Sequence, residues 1–187
     1  MTRVLTAAVI AALALPVLAL AALVGDQERR VMGAPVLSVP LLGFDPRDLL
    51  YGHYLLAQFD WDWEREPAAS NAYEEMGGGA CVLADVPKPR LRFLAGWTAG
   101  DPVDATCKLV MAGRGWPRDG RRPARFTPDN LDRGGGGVRF YIPEDRGSEL
   151  EQLIRDRPGA LTADLAVRAD GNVTIRGLRI DGKPIGR

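Results

Sequence analysis

The stretch YLLAQFDWDWE, residues 54–64, decides the fold class because its side chains alternate between an apolar set and a largely polar one. An extended chain would place Leu55, Ala57, Phe59, Trp61 and Trp63 on one face, and Tyr54, Leu56, Gln58, Asp60, Asp62 and Glu64 on the other. Period-two alternation over this length indicates a half-buried β-strand. We therefore predict one continuous strand here and a β domain built around it.

Further strands are predicted on both sides of this stretch. Residues 34–42 (APVLSVPLL) are apolar but interrupted by prolines, which predicts an edge strand, where a missing amide donor is tolerated. Other strands are predicted at 80–86, 90–97, 107–112, 138–142, 161–168 and 172–180, with a tight turn at 170–172 and a bulge at Gly177. Residues 67–79 are predicted to be a linker, and the arginine-rich residues 113–137 a mobile surface loop.

Two short helices are predicted between the strands. Asp45 can cap a helical turn over residues 45–50, with Pro46 at the first helical position. A capping box at residues 148–151 opens a second helix that ends near Arg157. Roughly seven or eight strands with two short helices predict a mainly β domain, either an antiparallel sandwich or a partly open barrel.

The first thirty residues form a separate segment, followed by one domain over residues 34–187. Residues 4–24 are 21 residues without a charge. A helix of that length spans about 30 Å, the thickness of the hydrocarbon core of a bilayer. Arg3 and the free amine before the segment favour a cytoplasmic N-terminus. We predict a single transmembrane helix that anchors a domain outside the cytoplasm.

A cleaved signal peptide is the alternative interpretation of the same segment. Residues 19–21 (ALA) resemble a cleavage site, and Pro16 could break the helix just before them. The apolar region of a signal peptide is usually about 7–15 residues long, which favours the retained anchor. Both interpretations place the domain outside the cytoplasm.

Composition excludes several kinds of protein. The 24 basic residues balance 24 acidic ones, which argues against a nucleic-acid partner. One histidine and two cysteines exclude a classical zinc site, so no metal or cofactor is predicted. Cys81 and Cys107 would form a disulfide in an oxidising compartment, worth about 3.5 kcal/mol by chain entropy. Two buried free thiols on neighbouring strands are the other alternative.

Three blocks of the chain resemble the GDYxxLxY family, a group of bacterial membrane-anchored proteins of uncharacterised function. Residues 44–59 (FDPRDLLYGHYLLAQF) resemble the pattern DPRDLxRGDYxxLxY. Residues 139–151 (RFYIPEDRGSELE) resemble the second block of the family, and residues 173–185 (VTIRGLRIDGKPI) resemble its last strand. The resemblance implies an inner-membrane protein with an extracytoplasmic β domain and a multi-pass membrane partner.

The name motif of the family is only partly kept in this chain. The motif-matching residues are Asp45, Pro46, Arg47, Asp48, Gly52, His53 and Tyr54. His53 stands at the Asp position of the motif, and Ala57 and Phe59 stand at its Leu and final Tyr. If that Asp is catalytic in the family, this chain is a poor catalyst. If it closes a turn, His53 is a tolerated structural replacement, which we favour.

Three carboxylates share one face of the predicted strand. Asp60, Asp62 and Glu64 would lie about 7 Å apart along it. Carboxylates at such spacing can bind Ca²⁺ or hydrolyse glycosides, but a solvated strand face gives the same pattern. We favour the solvated face, because the tryptophan face opposite already explains the alternation.

Catalysis by Ser38 is the one enzymatic hypothesis. Ser38 precedes the Gly52 turn on a predicted strand, a layout loosely similar to that of membrane-anchored serine/lysine peptidases. Such a hydrolase would need Lys88 or Lys108 with a pKa lowered by burial. We instead predict no catalytic residues and a non-enzymatic binding or accessory domain for another envelope or multi-pass membrane protein. A small-ligand-binding β domain is a further alternative, and it requires a cavity.

Overall fold

A computed structural model describes residues 2–44, 54–65, 76–85, 88–116, 124–131, 138–141, 152–153, 156–157 and 159–185. The chain divides into two compact units, Met1–Ala34 and Pro35–Arg187. The first unit is one helix, α1, over Thr2–Met32. It ends where the amide of Gly33 donates to the carbonyl oxygen of Arg29, a helix-terminating bond that glycine suits.

From residue 12 onward, helix α1 exposes its large apolar side chains to solvent. The large ones from residue 13 to residue 24 are between 57% and 70% exposed: Leu13, Leu15, Val17, Leu18, Leu20, Leu23 and Val24. Pro16 lies inside the helix and does not end it, which corrects the expected break. Within the residues that the structure describes, no helix is both long enough and apolar enough to cross a membrane.

The second unit consists of two β-sheets. Its strands are β1 Val36–Phe44, β2 Tyr54–Phe59, β3 Asp62–Arg65, β4 Met76–Ala84, β5 Arg90–Ala95, β6 Leu109–Trp116, β7 Arg125–Pro128, β8 Val138–Tyr141, β9 Leu161–Val167, β10 Val173–Ile180 and β11 Lys183–Pro184. The six-stranded sheet has the order β11-β10-β9-β1-β2-β8, and the five-stranded sheet has the order β3-β5-β4-β6-β7. All described strand pairs are antiparallel except β3 with β5. The predicted mainly β fold is confirmed.

One hydrophobic core joins the two sheets. Its buried members come from both: Leu37, Val39, Leu41, Ala57, Phe59, Val138, Phe140, Leu161, Ala163, Leu165, Val167 and Val173 from the six-stranded sheet, and Ala80, Val82, Leu91, Met111 and Phe126 from the five-stranded sheet, with Trp61 between them. Two sheets that bury a shared apolar face are the arrangement of a sandwich.

The five-stranded sheet also curls, because side chains link its two edges. The indole of Trp61 donates to the carbonyl oxygen of Phe126 at 2.9 Å, and the indole of Trp63 to that of Ala124 at 3.2 Å. These bonds join the segment entering β3 to the segment of β7, and β3 and β7 are opposite edges of the sheet. The sheet therefore has the form of a partly open barrel.

Residues 54–64 do not form the single predicted strand. β2 belongs to the six-stranded sheet and β3 to the five-stranded sheet, with a break at Asp60 and Trp61. The amide of Asp60 donates to Pro40, and the amide of Asp62 donates to Pro89. The alternation survives the break, since Trp61 is buried like Phe59. The chain crosses between sheets while one apolar face keeps facing the common core.

The predicted edge strand at residues 34–42 is instead central. β1 pairs with β9 over Val36–Pro40 and with β2 over Leu41–Phe44. Pro40 is the last residue paired with β9, so its missing amide falls where that ladder ends, and its carbonyl oxygen accepts from Asp60. The proline that predicted an edge marks a change of partner.

Two predicted loops contain strands. β4 begins at Met76 and includes glycines assigned to the linker, while β6 extends to Trp116 and β7 lies inside the predicted mobile loop. A Cβ at Gly79 would come within 2.7 Å of the Trp97 ring, and one at Gly113 within 2.5 Å of the Phe126 ring. These glycines make room for aromatic rings in a sheet and are not a sign of flexibility.

The remaining local predictions agree with the structure where it describes them. β8, β9 and β10 fall at the predicted places, and the ladder of β10 shifts register between Ile175 and Gly177. The helical turn at 45–50 lies outside the described residues. Of the predicted helix at 148–157, Gln152, Leu153 and Asp156 are helical, and most of the others lie outside the description.

Candidate functional site

A bulge in β10 decides which residues reach the outer face of the six-stranded sheet. Val173 and Ile175 pack in the core before the bulge, and Leu178 and Ile180 pack against it afterwards. The extra residue at the bulge changes the phase of the alternation. Arg179 consequently lies on the outer face, opposite to the core.

Arg179 meets a buried carboxylate there. The side chain of Asp164 lies between two donors, with Ser38 Oγ 2.6 Å from Oδ1 and Arg179 Nε 2.6 Å from Oδ2. Asp164 is only 7% exposed, and Ser38 is its register partner on β1. Burial of a carboxylate is tolerated when both oxygens are bonded and an opposite charge is adjacent. The cluster is a neutralised ion pair that orients the Ser38 hydroxyl.

The lysines named for a Ser38 hydrolase are engaged elsewhere. Lys88 Nζ lies 2.6 Å from Asp60 and 3.1 Å from Asp62. Burial lowers the pKa of Lys88, but its hydrogen bonds to these two carboxylates outweigh that effect, so its pKa is raised overall. Lys108 Nζ is bound to Asp85 at 2.7 Å. Both lysines that the hydrolase hypothesis names are therefore ion-paired with carboxylates other than Asp164, the carboxylate that binds Ser38.

The carboxylates predicted to share one face of residues 54–64 form ion pairs with basic side chains. Besides the two carboxylates held by Lys88, Glu64 binds Arg92 Nε at 2.5 Å, and Arg92 also reaches Asp104 at 3.0 Å. The pKa of Asp104 is lowered, chiefly by the amide of Thr106 and further by Arg92. Among the residues that the structure describes, no three acidic, histidine or cysteine side chains are placed to hold a metal ion.

The cysteines form a disulfide. Cys81 lies in β4, Cys107 lies two residues before β6, and their Cα atoms are 5.4 Å apart. Cys81 is fully buried, and neither sulfur is free. The oxidised alternative left open by the sequence is the one found.

The motif-matching residues divide into two groups. Asp45, Pro46, Arg47, Asp48, Gly52 and His53 lie outside the described residues. Tyr54 opens β2 and pairs in register with Tyr141 of β8, so the first two resembling blocks supply adjacent strands. Ala57 and Phe59, at the last two motif positions, are buried in the core. The last two positions of the motif therefore contribute to the hydrophobic core in this chain.

Two features of these clusters were not predicted from the sequence. Asp164 and Arg179 were not predicted as a pair, although the bulge predicted at Gly177 is the feature that places Arg179 on the outer face. Trp61 and Trp63 were predicted only to lie on the apolar face. The hydrogen bonds by which their indoles join two sheet edges were not predicted from the sequence. The aromatic contact of Trp61 with Phe126, at 6.4 Å between ring centroids, depends on that closure.

Comparison with known proteins gives one match. A family model described as GDYXXLXY protein matches residues 16–178, which includes the first two resembling blocks and the start of the third. No curated protein and no solved structure matches the chain.

Proposed function

This chain belongs to the GDYXXLXY protein family, and from that premise we propose that it is a membrane-anchored, extracytoplasmic protein. Its β domain acts as a non-enzymatic binding or accessory domain for another envelope or multi-pass membrane protein. The anchor is the uncharged segment of residues 4–24, and the domain begins at Pro35.

The observation that supports the anchor is the uncharged segment at the start of helix α1. Residues 4–24 carry no charge and lie within the continuous helix α1. The large side chains from Leu13 to Val24 are more than half exposed, and such a helix has no polar face to turn toward water. Exposed apolar surface of this extent is costly in water and favourable in lipid. These properties support insertion into a bilayer.

The disulfide supports the placement of the β domain outside the cytoplasm. Disulfides persist in oxidising compartments and are rare in the cytosol. The pair Cys81–Cys107 lies in the unit that follows the anchor. An anchor with its N-terminus in the cytoplasm would deliver this unit to such a compartment.

Binding is favoured over catalysis by the state of the polar clusters. Ser38, Lys88 and Lys108 each bind a carboxylate, and the carboxylates of the β3 face are held by cations. A nucleophile needs a neutral base or a lowered pKa nearby. A groove among the described residues lies on α1, beside Leu15 and Leu18, and not in the β domain. The ligand-binding alternative gains no support from it.

Membrane retention after alkaline carbonate washing tests the anchor. The full chain should stay in the membrane pellet, and added protease should digest the β domain only from the outer side. Leu15→Arg should release the protein, because a charge at the centre of a spanning helix costs about 2.5–3.5 kcal/mol. Gln27→Arg, outside the uncharged segment, is the matched control and should be retained.

Crosslinking in the native membrane tests the partner. A chain with a photoreactive residue at the exposed Val36 should form a discrete adduct with one other membrane or envelope protein. Capture of monomer alone, at several exposed positions of the β domain, would contradict the accessory role while leaving the anchor standing.

A further inference from the structure

The two cysteines of the disulfide differ in their exposure to solvent. Cys81 lies in the middle of β4, which is flanked by β5 and β6, and it is fully buried together with Ala80 and Val82. Cys107 is partly exposed and lies outside the strands, between the exposed residues Thr106 and Lys108. A reagent in solution can therefore approach Cys107 without opening the sheet.

The chain around Cys107 also holds this sulfur in place. Its amide donates to the carbonyl oxygen of Asp104, and the amide of Lys108 donates to Val82 of β4. All residues from 98 to 106 are exposed, so the segment that leads to Cys107 lies at the surface. Cys107 consequently lies in a surface segment that these hydrogen bonds fix beside β4, where its partner Cys81 lies.

We propose that Cys107 is the site at which this protein undergoes thiol–disulfide exchange with a dithiol–disulfide oxidant, and that Cys81 is the resolving cysteine. The Cys107 thiolate attacks one sulfur of the disulfide of the oxidant and releases the other as a thiolate. The Cys81 thiol then loses its proton and attacks Cys107 Sγ, which releases the second sulfur of the oxidant. Two protein thiols lose two electrons and two protons in total, and the oxidant becomes a dithiol.

The same asymmetry predicts resistance to reduction. A reductant that attacks Cys107 must expel Cys81 as a thiolate within the buried sheet, where the charged form is disfavoured. Formation of the disulfide passes through the same buried Cys81 thiolate, so burial slows exchange in both directions and the disulfide is not a labile switch. This inference rests on the proposed function only in that an extracytoplasmic location supplies the oxidant.

Mapping the mixed disulfide on the wild-type chain tests the assignment. Full-length protein prepared in detergent under reducing conditions and freed of reductant is treated briefly with oxidised glutathione, quenched with acid, alkylated and digested, and the adduct is located by mass spectrometry. We expect the adduct on Cys107 in at least about tenfold excess over Cys81, in line with its greater exposure. A predominant Cys81 adduct, or no Cys107 adduct before denaturant is added, would overturn the proposal.

Single-cysteine variants give a second test. With oxidised glutathione, Cys81→Ser should take one adduct in the folded protein, whereas Cys107→Ser should take none until it is unfolded. Equal labelling of the two folded variants contradicts the assignment, and the wild-type mapping decides if either variant fails to fold. Carbonate retention is scored on the same samples. A released protein with the Cys107 adduct refutes the anchor and leaves the exchange site intact.

Discussion

The indole nitrogen of Trp61 lies 2.9 Å from the main-chain oxygen of Phe126, across the opening between the two edges of the five-stranded sheet. Trp63, two residues later, makes the equivalent bond to Ala124, two residues earlier. Residues two apart on a strand point to the same side. The two indoles therefore run along the edge of β7 in antiparallel order. Their side-chain hydrogen bonds link the two edges of the sheet in place of strand pairing.

Replacement of Trp61 by phenylalanine should destabilise the domain. Trp61→Phe keeps an aromatic ring but leaves the buried oxygen of Phe126 without its donor, at a cost of about 1–3 kcal/mol. Trp63→Phe removes the longer, partly buried bond and should cost less, about 0.5–1.5 kcal/mol. Urea unfolding of the three proteins in detergent measures both. A Trp61→Phe protein as stable as the wild type would refute closure by the indoles.

A methyl group at Gly113 should also be costly. A Cβ there would lie 2.5 Å from both the Phe126 ring and the carbonyl oxygen of Thr127, and the latter cannot turn aside. Overpacking of this kind costs about 1–3 kcal/mol. Gly77→Ala is the matched control, since nothing lies within 4 Å of the added Cβ. Thermal melting should show a lowered Tm for Gly113→Ala and little change for Gly77→Ala.

Loss of the disulfide should weaken the domain without removing the fold. Cys81 and Cys107 are 26 residues apart in sequence, and a loop of that size contributes about 3.5 kcal/mol by constraining the unfolded chain. The double variant Cys81→Ser/Cys107→Ser should lose roughly that amount in urea unfolding. The fully reduced wild type should match it, and a double variant of unchanged stability would contradict the estimate.

Stability should fall in acid. Thr98 holds the pKa of Asp101 below its usual value, and Thr106 does the same for Asp104. A carboxyl with a lowered folded-state pKa stabilises the domain above its unfolded value of 3.8, and this contribution is lost as the pH falls through the folded value. Lys88, whose pKa is raised above 10.5, acts in the opposite sense, and its contribution is lost above that pH.

Thermal melts across the pH range check these signs. Tm should be nearly constant from about pH 5 to pH 8 and fall below about pH 4, as paired carboxylates become protonated. Asp101→Asn should show a shallower acid decline, since one titrating group is removed. A Tm that rises on acidification would contradict the pairing.

The sequence predicts the local elements better than their partners. Alternation correctly assigned the buried face of residues 57–63, because that face depends only on which side chains avoid water. It did not predict the change of sheet at Asp60, since an apolar side chain faces a shared core equally well from either sheet. Pro40 was assigned to an edge because a missing amide is tolerated there, and the end of a ladder tolerates it equally.

The candidate site was less accessible to sequence reasoning. The pairing of Cys81 with Cys107 remained open because it depends on which strands are neighbours. In the cluster on the outer face, Ser38 and Asp164 are 126 positions apart in the sequence, and Asp164 and Arg179 are 15 positions apart. A single bulge in β10 brings Arg179 to this cluster. Such contacts depend on strand pairing and register, and a slip of one residue would turn every side chain of a strand to the other face.

The intact mass and N-terminus of the protein taken from carbonate-washed membranes test the proposed anchor. We expect an uncleaved chain that retains residues 4–24 and remains in the membrane pellet with its disulfide formed. A mature chain that begins at Ala22 or later and appears in the soluble extracytoplasmic fraction would contradict the anchor.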